Sequence, residues 1–271
     1  MVAGSGRNRA GPPVTGTYQN PRAWAAGADP VYEQLSRAGI ATSPFSLSGR
    51  VVLDIGAGTG ATSRAISRSH GWPIAVDLSL SMLAFRSDDR PPAMVADATR
   101  LPIPNDSVGG AVAAFCLSHV EAPDQLLREL ARVVEPRGPV LALVFADQGP
   151  RHPASEAVTE AATQYGWSPP DWYRQLKDEL EPAVADADRL QALAEQAGLI
   201  DVAVTDAEVD TGISDPDQLV GWRLAGPAFA TFFDSLSSPQ QKRLTAEAAR
   251  ALGDEPSSLL LRIRTMSGSS S

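Results

Sequence analysis

The 271-residue sequence predicts an α/β protein built on a doubly wound, mostly parallel sheet. Three observations carry this. Five short apolar stretches alternate with helical stretches between residues 51 and 146, and those at 110–117 and 140–145 are apolar throughout, as strands buried on both faces are. A glycine-rich turn follows the first of them directly, where an open sheet places a ligand. With 43% hydrophobic and 20% charged residues, the chain has enough apolar surface to offset the entropy of ordering a core.

Taken in order, residues 1–20 are rich in Gly, Pro, Arg and Asn without periodicity and read as a flexible tail. A helical segment occupies 21–46: Val31, Leu35 and Ala38 recur on one face over 23–38, and Pro44 with Ser48-Gly49 ends it. The α/β core spans 47–147. Its strands fall at 51–55, 74–76, 93–96, 110–117 and 140–145, its helices at 59–69, 79–86 and 123–134. In the last helix Leu126, Leu127, Leu130 and Val133 share a face. Residues 148–199 break into helical pieces around Pro153, Pro169, Pro170 and Pro182, closing with a helix at 189–197 before Gly198, and read as a helical lid and substrate region. Residues 200–265 supply strands at 202–209 and 259–264, with helices around 218–224 and 240–252, and are expected to complete the sheet. The closing MSGSSS, 266–271, reads as a second tail.

Charge and composition exclude several functions. Lys and Arg number 23 against 32 Asp and Glu, for a net charge of -9, which disfavours both a nucleic-acid face and an anionic membrane surface as partners. Cys116, the one cysteine, has no disulfide partner in the chain, and His70, His119 and His152 lack metal-ligand spacing, so no metal is expected. The longest apolar run, 108–117, is about half of a membrane span, and the opening residues lack an apolar leader core; a cytoplasmic protein is the expectation. There is no G-x-S-x-G elbow, P-loop lysine, C-x-x-C or H-E-x-x-H.

The most specific feature is VLDIGAGTGA, residues 52–61. Gly56, Gly58 and Gly60 let the backbone turn sharply and leave bare main chain against a ligand. Because Gly56, Gly58 and Ala61 also satisfy the dinucleotide pattern G-x-G-x-x-G/A, an NAD(P)-dependent oxidoreductase is an alternative on the same residues. Three acids favour another ligand. Asp54 stands two residues before the first glycine, where it can take N–H donors or a ligand ammonium. Asp77 ends the second strand, about 20 residues past the first glycine, where a carboxylate accepts from a ribose diol. Asp97 ends the third strand and can accept from an exocyclic amine. A ligand with an amino-acid end, a ribose and an adenine would use all three, whereas a pyrophosphate has no use for Asp54 beside it.

At these residues the sequence resembles the class I S-adenosylmethionine-dependent methyltransferases, in particular the small-molecule branch related to quinone-biosynthesis methyltransferases. The resemblance covers about residues 47–146 and rests on VVLDIGAGTG, AVDLSLSML, VADATRLPIPNDSV and AAFCLSHVEAP. It implies a Rossmann-like sheet of seven strands, the last antiparallel, with S-adenosylmethionine as cofactor and a small molecule as methyl acceptor. By it Asp54, Gly56, Ala57 and Gly58 line the methionine moiety, Asp77 the ribose, Leu78 and Met82 the adenine faces, and Asp97 with Ala98 the adenine edge. Phe115 stands beside the methionine moiety. The sequence departs from the family at Val108-Gly109, where Phe-Asp is common, and at Arg137-Gly138-Pro139, where Gly-Gly is common; both concern turn geometry.

Methyl transfer from a sulfonium chiefly requires positioning and desolvation of the acceptor, so few residues are obligatory. His119, just past the fourth strand, is a candidate general base. Cys116 reads as a packed, inert thiol. Tyr165, Trp167, Trp172 and Tyr173 are assigned to a lid over the acceptor pocket, with Tyr18 and Trp24 closing the same mouth. The spacing of Tyr173 and Lys177 also matches an oxidoreductase proton-donor pair, although it follows a Pro-Pro break outside the sheet pattern. A catalytically silent cofactor-binding scaffold is the remaining alternative. A composition typical of actinobacteria suggests a secondary-metabolite tailoring enzyme first and a quinone substrate second. Oligomeric state is left open by the sequence.

Overall fold

A computed structural model describes residues 20–147, 149 and 151–271. Its strands are β1 (Val51–Ile55), β2 (Trp72–Asp77), β3 (Ala93–Val95), β4 (Gly110–Ala114), β5 (Pro139–Phe145), β6 (Ile200–Asp210) and β7 (Leu260–Ser269). They form one seven-stranded sheet in the order β3-β2-β1-β4-β5-β7-β6, with β7 antiparallel to both neighbours. The chain leaves β1 toward β2 on one side, while β4 joins β1 on the other, so the switch in strand order lies beside β1. In an open α/β sheet that is where the crevice opens.

Alternation along the strands assigns the two faces. Val52, Val112, Leu141 and Leu143 point to one face and pack with Ile40 of α2 (Asp29–Thr42) and with Ala65 and Ile66 of α3 (Ala61–Arg68). Leu53, Ile55, Ala111, Ala113, Val140 and Ala142 point to the other, against Leu126, Leu127, Leu130 and Val133 of α5 (Pro123–Val133) and Leu190 and Ala194 of α9 (Ala187–Gln196). The remaining core helix, α4 (Leu80–Ala84), follows β2 and is capped by Ser79, whose hydroxyl accepts from the Met82 N–H. The predicted N-terminal helix is interrupted: α1 (Pro21–Gly27) ends at Ala28, and Pro30 opens α2, a first-turn position where its missing N–H costs nothing.

Two expectations are corrected. Residues 266–271 were expected as a tail, but Met266 to Ser269 continue β7 between β5 and β6, and Met266, Ser267, Ser269 and Ser270 are buried. Small polar residues fit between two strands once the ladder satisfies their backbone, and Ser270 closes the end: its hydroxyl donates to Ala131 O and its carbonyl accepts from Arg137 N–H. The second correction concerns the helices after β6. Residues 216–252, where helices around 218–224 and 240–252 were expected beside the sheet, form α10 (Pro216–Ala225), α11 (Pro227–Ser235) and α12 (Ser238–Leu252). These join α6 (Pro153–Gln164) in a separate helical cap with its own core of Val158, Ala161, Val220, Phe229, Leu244 and Ala248. The expected lid is thus built from two insertions, one on either side of β6. Short pieces, α7 (Asp171–Gln175), a π-helical turn at Leu176–Leu180 and α8 (Glu181–Ala185), lead from the cap back toward the sheet. No helix among the described residues is long and apolar enough to cross a membrane.

Candidate functional site

The carboxyl ends of β1, β2 and β4 converge on the glycine turn. Gly56 has φ +71°, and a Cβ there would lie 3.0 Å from the Cys116 sulfur, so both conformation and space demand glycine. Gly56 and Ala57 donate to Val76 O, tying the turn to β2. At Gly58, φ +51°, the N–H donates 2.8 Å to Asp77 Oδ2. The other Asp77 oxygen accepts from Ser79 N–H at 2.8 Å, so the carboxylate is fixed between the two loops at the mouth. Each oxygen retains acceptor capacity for a hydroxyl.

Asp54 is fully buried one turn below. Ser63 donates to its Oδ2 at 2.5 Å, while Oδ1 is buried without a hydrogen-bond partner among the described residues. Burial pushes its carboxyl up to about 7, the Asp77 charge adds to this, and the Ser63 hydrogen bond opposes it. A buried, half-satisfied carboxylate beside bare main chain suits an ammonium group, which would supply both the missing donor and the missing charge. Of the remaining predicted cofactor residues, Leu78 is exposed next to Asp77, and Met82 is buried with its methyl against Gly58. Asp97 is exposed and accepts from the Thr99 N–H and hydroxyl, with Ala98 beside it in the loop after β3. The structure therefore gathers Asp54, Gly56, Ala57, Gly58, Asp77, Leu78 and Met82 around the glycine turn at the carboxyl ends of β1 and β2, with Asp97 and Ala98 in the loop after the neighbouring β3.

Two residues that frame the turn were not foreseen. Asp29, buried at the start of α2, accepts from the Thr59 hydroxyl and pairs with Arg64 at 2.9 Å, which latches the N-terminal helix to the glycine turn. Arg90 donates to Gly58 O, Met82 O and Leu83 O at 2.8, 2.7 and 2.5 Å. It gathers three carbonyls around one guanidinium. A lone arginine in the loop before β3 gave no signal of this in the sequence.

Across the mouth, Phe115 takes φ +56°, a left-handed backbone that is strained for a bulky residue and ends β4 abruptly. Its ring lies 5.1 Å from Tyr32 and 4.8 Å from Phe145, and Trp24 lies 5.1 Å from Tyr32. Trp24 and Phe115, both predicted, are joined by two unpredicted rings into one aromatic wall. Tyr32 is held above the usual phenol range by burial first and by the Glu181 charge second. Cys116 stands behind Gly56, and burial pushes its thiol up to about 12, in line with the inert reading. His119 lies in the turn after β4, held down to about 4 by burial and then by Lys177, so its imidazole is neutral at neutral pH. A group that holds a proton so weakly is suited to accepting a hydrogen bond more than to taking the proton.

The predicted lid aromatics separate. Trp167 is 8% exposed, stacks on Phe229 at 4.3 Å and donates to Ala228 O at 2.9 Å; Tyr165 donates to Glu247 at 3.2 Å. Both hold the cap together, in a helical layer with its own core. Trp172 lies edge-to-face against Tyr173 and lines, with Trp167 and Pro170, a cleft of about 490 Å³ made of cap residues. The Tyr173 hydroxyl is met by Arg223, an Nη of which stands 3.4 Å away. Lys177 stands 5.7 Å over the Tyr173 ring and pairs with Glu181. Tyr18 lies outside the described residues.

A family model described as "Methyltransferase domain" matches residues 53–142. Demethylmenaquinone methyltransferase of Mycolicibacterium paratuberculosis is 33% identical over 120 residues, 44% of this chain and 50% of that protein. Its counterpart in Clavibacter sepedonicus is 34% identical over 119 residues, 42% and 49% of the two chains. The chain thus spans about half the length of the curated relatives it matches. Among solved structures, the YcgJ protein of Bacillus subtilis superposes with a TM-score of 0.52 at 19% identity, covering 87% of this chain and 97% of that one. Phosphoethanolamine N-methyltransferase 2 of Haemonchus contortus, in complex with S-adenosyl-L-methionine, gives 0.52 at 16% identity, covering 93% and 59%. The glycine turn and the strand-end acids Asp54, Asp77 and Asp97 all lie within residues 53–142, the stretch that matches the methyltransferase-domain model, on a seven-stranded sheet shared with these solved structures.

Proposed function

We propose that this protein transfers the methyl group of S-adenosylmethionine to a small, planar molecule held against the aromatic wall of Tyr32, Phe115 and Phe145. The observation that carries the reading is Asp54: a fully buried carboxylate with one oxygen lacking a partner, directly beneath a glycine turn whose next strand ends in Asp77. In this reading Asp54 takes the ammonium end of the cofactor, Asp77 the ribose hydroxyls, Leu78 and Met82 the adenine faces, and Asp97 with Ala98 the adenine edge. Bound in that crevice, the sulfonium supplies an electrophilic methyl group.

The chain's own contribution is positional. Aromatic faces exclude water and tolerate a positive sulfonium, and they align a flat acceptor for in-line attack. His119, neutral and half-buried, accepts a hydrogen bond from the acceptor's nucleophilic group and orients it. Asp29 and Arg64 keep α2, and with it Tyr32, seated on the glycine turn.

The acceptor is read as a secondary-metabolite scaffold. The curated relatives, named for demethylmenaquinone methylation, align over 44% of the chain, and the part left unmatched supports an acceptor of its own. A quinol is the second reading, supported by those names and by a wall of rings that suits a flat bicyclic molecule. Calorimetry with S-adenosylmethionine, S-adenosylhomocysteine and NADH, followed by a methyl-transfer assay on phenolic and quinol acceptors, tests both levels. Binding of NADH in place of the sulfonium would overturn the function, and cofactor binding without turnover on any acceptor would leave a scaffold.

A further inference from the structure

Arg223, on α10, makes no salt bridge among the described residues, and its Nε is buried without a hydrogen-bond partner. Its other contacts are weak: an Nη stands 3.4 Å from the Tyr173 hydroxyl, and the guanidinium lies 4.7 Å over the Phe229 ring. Phe229 fixes the plane of the guanidinium from the cap side. Its position relative to the site follows from a chain of contacts. Cys116 touches Gly56, its neighbour Phe115 packs on Tyr32, and Trp222, the residue before Arg223, packs against the same apolar cluster as Phe115 and Phe145.

Lys177 reaches both oxygens of Glu181 at 2.7 Å, so that pair is internally neutralised. His119, also near Lys177, is neutral. Arg223 itself is in no salt bridge among the described residues, in a chain whose net charge is -9. A buried guanidinium edge with an unused Nε is a costly arrangement unless a ligand completes it, and the fork of Nε and Nη matches the two oxygens of a carboxylate.

We propose that Arg223, with the Tyr173 hydroxyl beside it, recognises a carboxylate on the methyl acceptor, so that the enzyme selects planar acids over their neutral counterparts. The flat body of such an acid lies along Phe115, Phe145 and Tyr32, and its carboxylate reaches up to the cap. This rests on the methyltransferase reading above and adds to it the acceptor's charge class and a specificity-determining residue.

The test uses the full chain saturated with S-adenosylhomocysteine, into which 1-hydroxy-2-naphthoate or its methyl ester is titrated by calorimetry. The acid is expected to bind about tenfold or more tighter than the ester, the worth of one charge-assisted hydrogen-bonded pair. Arg223→Gln should bring acid and ester to within about twofold, and Arg223→Lys, which keeps the charge and loses the fork, should fall between. S-adenosylhomocysteine affinity and the melting temperature verify that each variant is folded and its cofactor crevice intact. Equal binding of acid and ester to the native protein, no binding of the acid, or a preference that survives Arg223→Gln would overturn the proposal while the methyltransferase reading stands. Failure of S-adenosylhomocysteine to bind the native protein would overturn that reading itself.

Discussion

The glycine turn and the helical cap organise side chains in opposite ways. At the turn, backbone bends around a few polar groups: Asp77 is gripped by the N–H groups of Gly58 and Ser79, and Arg90 by three carbonyls. In the cap, helices are held apart and together by rings, with Trp167 sandwiched on Phe229 and anchored to a carbonyl of the next helix. Polar groups at the turn are therefore available to a ligand at small cost to stability, whereas the cap aromatics are committed to the fold. The difference teaches that aromatic density in sequence marks a packed layer as readily as a binding pocket, and it predicts that the two regions respond oppositely to substitution.

The largest effect belongs to the cap. Trp167→Ala removes a stacked, buried indole and its hydrogen bond, and should destabilise the protein by about 3–5 kcal/mol. Thermal unfolding should show this, while the surviving folded protein binds S-adenosylhomocysteine normally; a stable variant with a weakened acceptor would return Trp167 to the pocket. At the turn the sign reverses. Asp77→Ala should lower the affinity for both S-adenosylmethionine and S-adenosylhomocysteine by about 1.5–3 kcal/mol, one to two decades, with a cooperative melt retained. Unchanged calorimetric affinities would move the ribose elsewhere.

Asp54 gives a pH signature. Its folded carboxyl titrates at about 7, above the ordinary aspartate value of 3.8, so the native state holds a proton that the unfolded chain releases. Its charge therefore subtracts stability progressively as pH rises from about 4 to about 7. Asp54→Asn should gain in melting temperature relative to the native protein across that window and stay level above it. Cofactor affinity should run the other way, rising in the native protein between pH 6 and 8 as the carboxylate ionises opposite the ammonium, and lying flat in Asp54→Asn. A parallel pH dependence in the two proteins would remove Asp54 from the ammonium site. The smallest effect sharpens the same contrast: Leu78 is 47% exposed, so Leu78→Ser should change stability by less than about 0.5 kcal/mol yet weaken the cofactor a few-fold. A loss of stability there would mean that Leu78 serves the fold and not the adenine.

Much of the core was legible because local sequence carried it. Strands such as AVAAF and PVLALVF announce burial on both faces, and glycines at positive φ followed by strand-end acids mark a ligand edge whatever surrounds them. What escaped was set by partners distant in sequence. Tyr32 and Phe145 join one wall only because α2 crosses the end of β5, and Arg223 meets Tyr173 across 50 residues of chain. MSGSSS has the composition of a tail, and Met266 to Ser269 become strand because β5 and β6 offer them two ladders at once.

The sequence by itself determined the sheet, its glycine turn and the acids at its strand ends, since each depends on a periodicity or a backbone conformation that a few neighbouring residues fix. Only the tertiary structure decided which aromatics support the cap and which join the wall of Tyr32, Phe115 and Phe145, where the last strand ends, and which arginine of the cap is left with an unsatisfied edge. Those outcomes depend on burial and on who meets whom across the chain, and a ring or a guanidinium carries no mark of its eventual neighbours in the residues beside it.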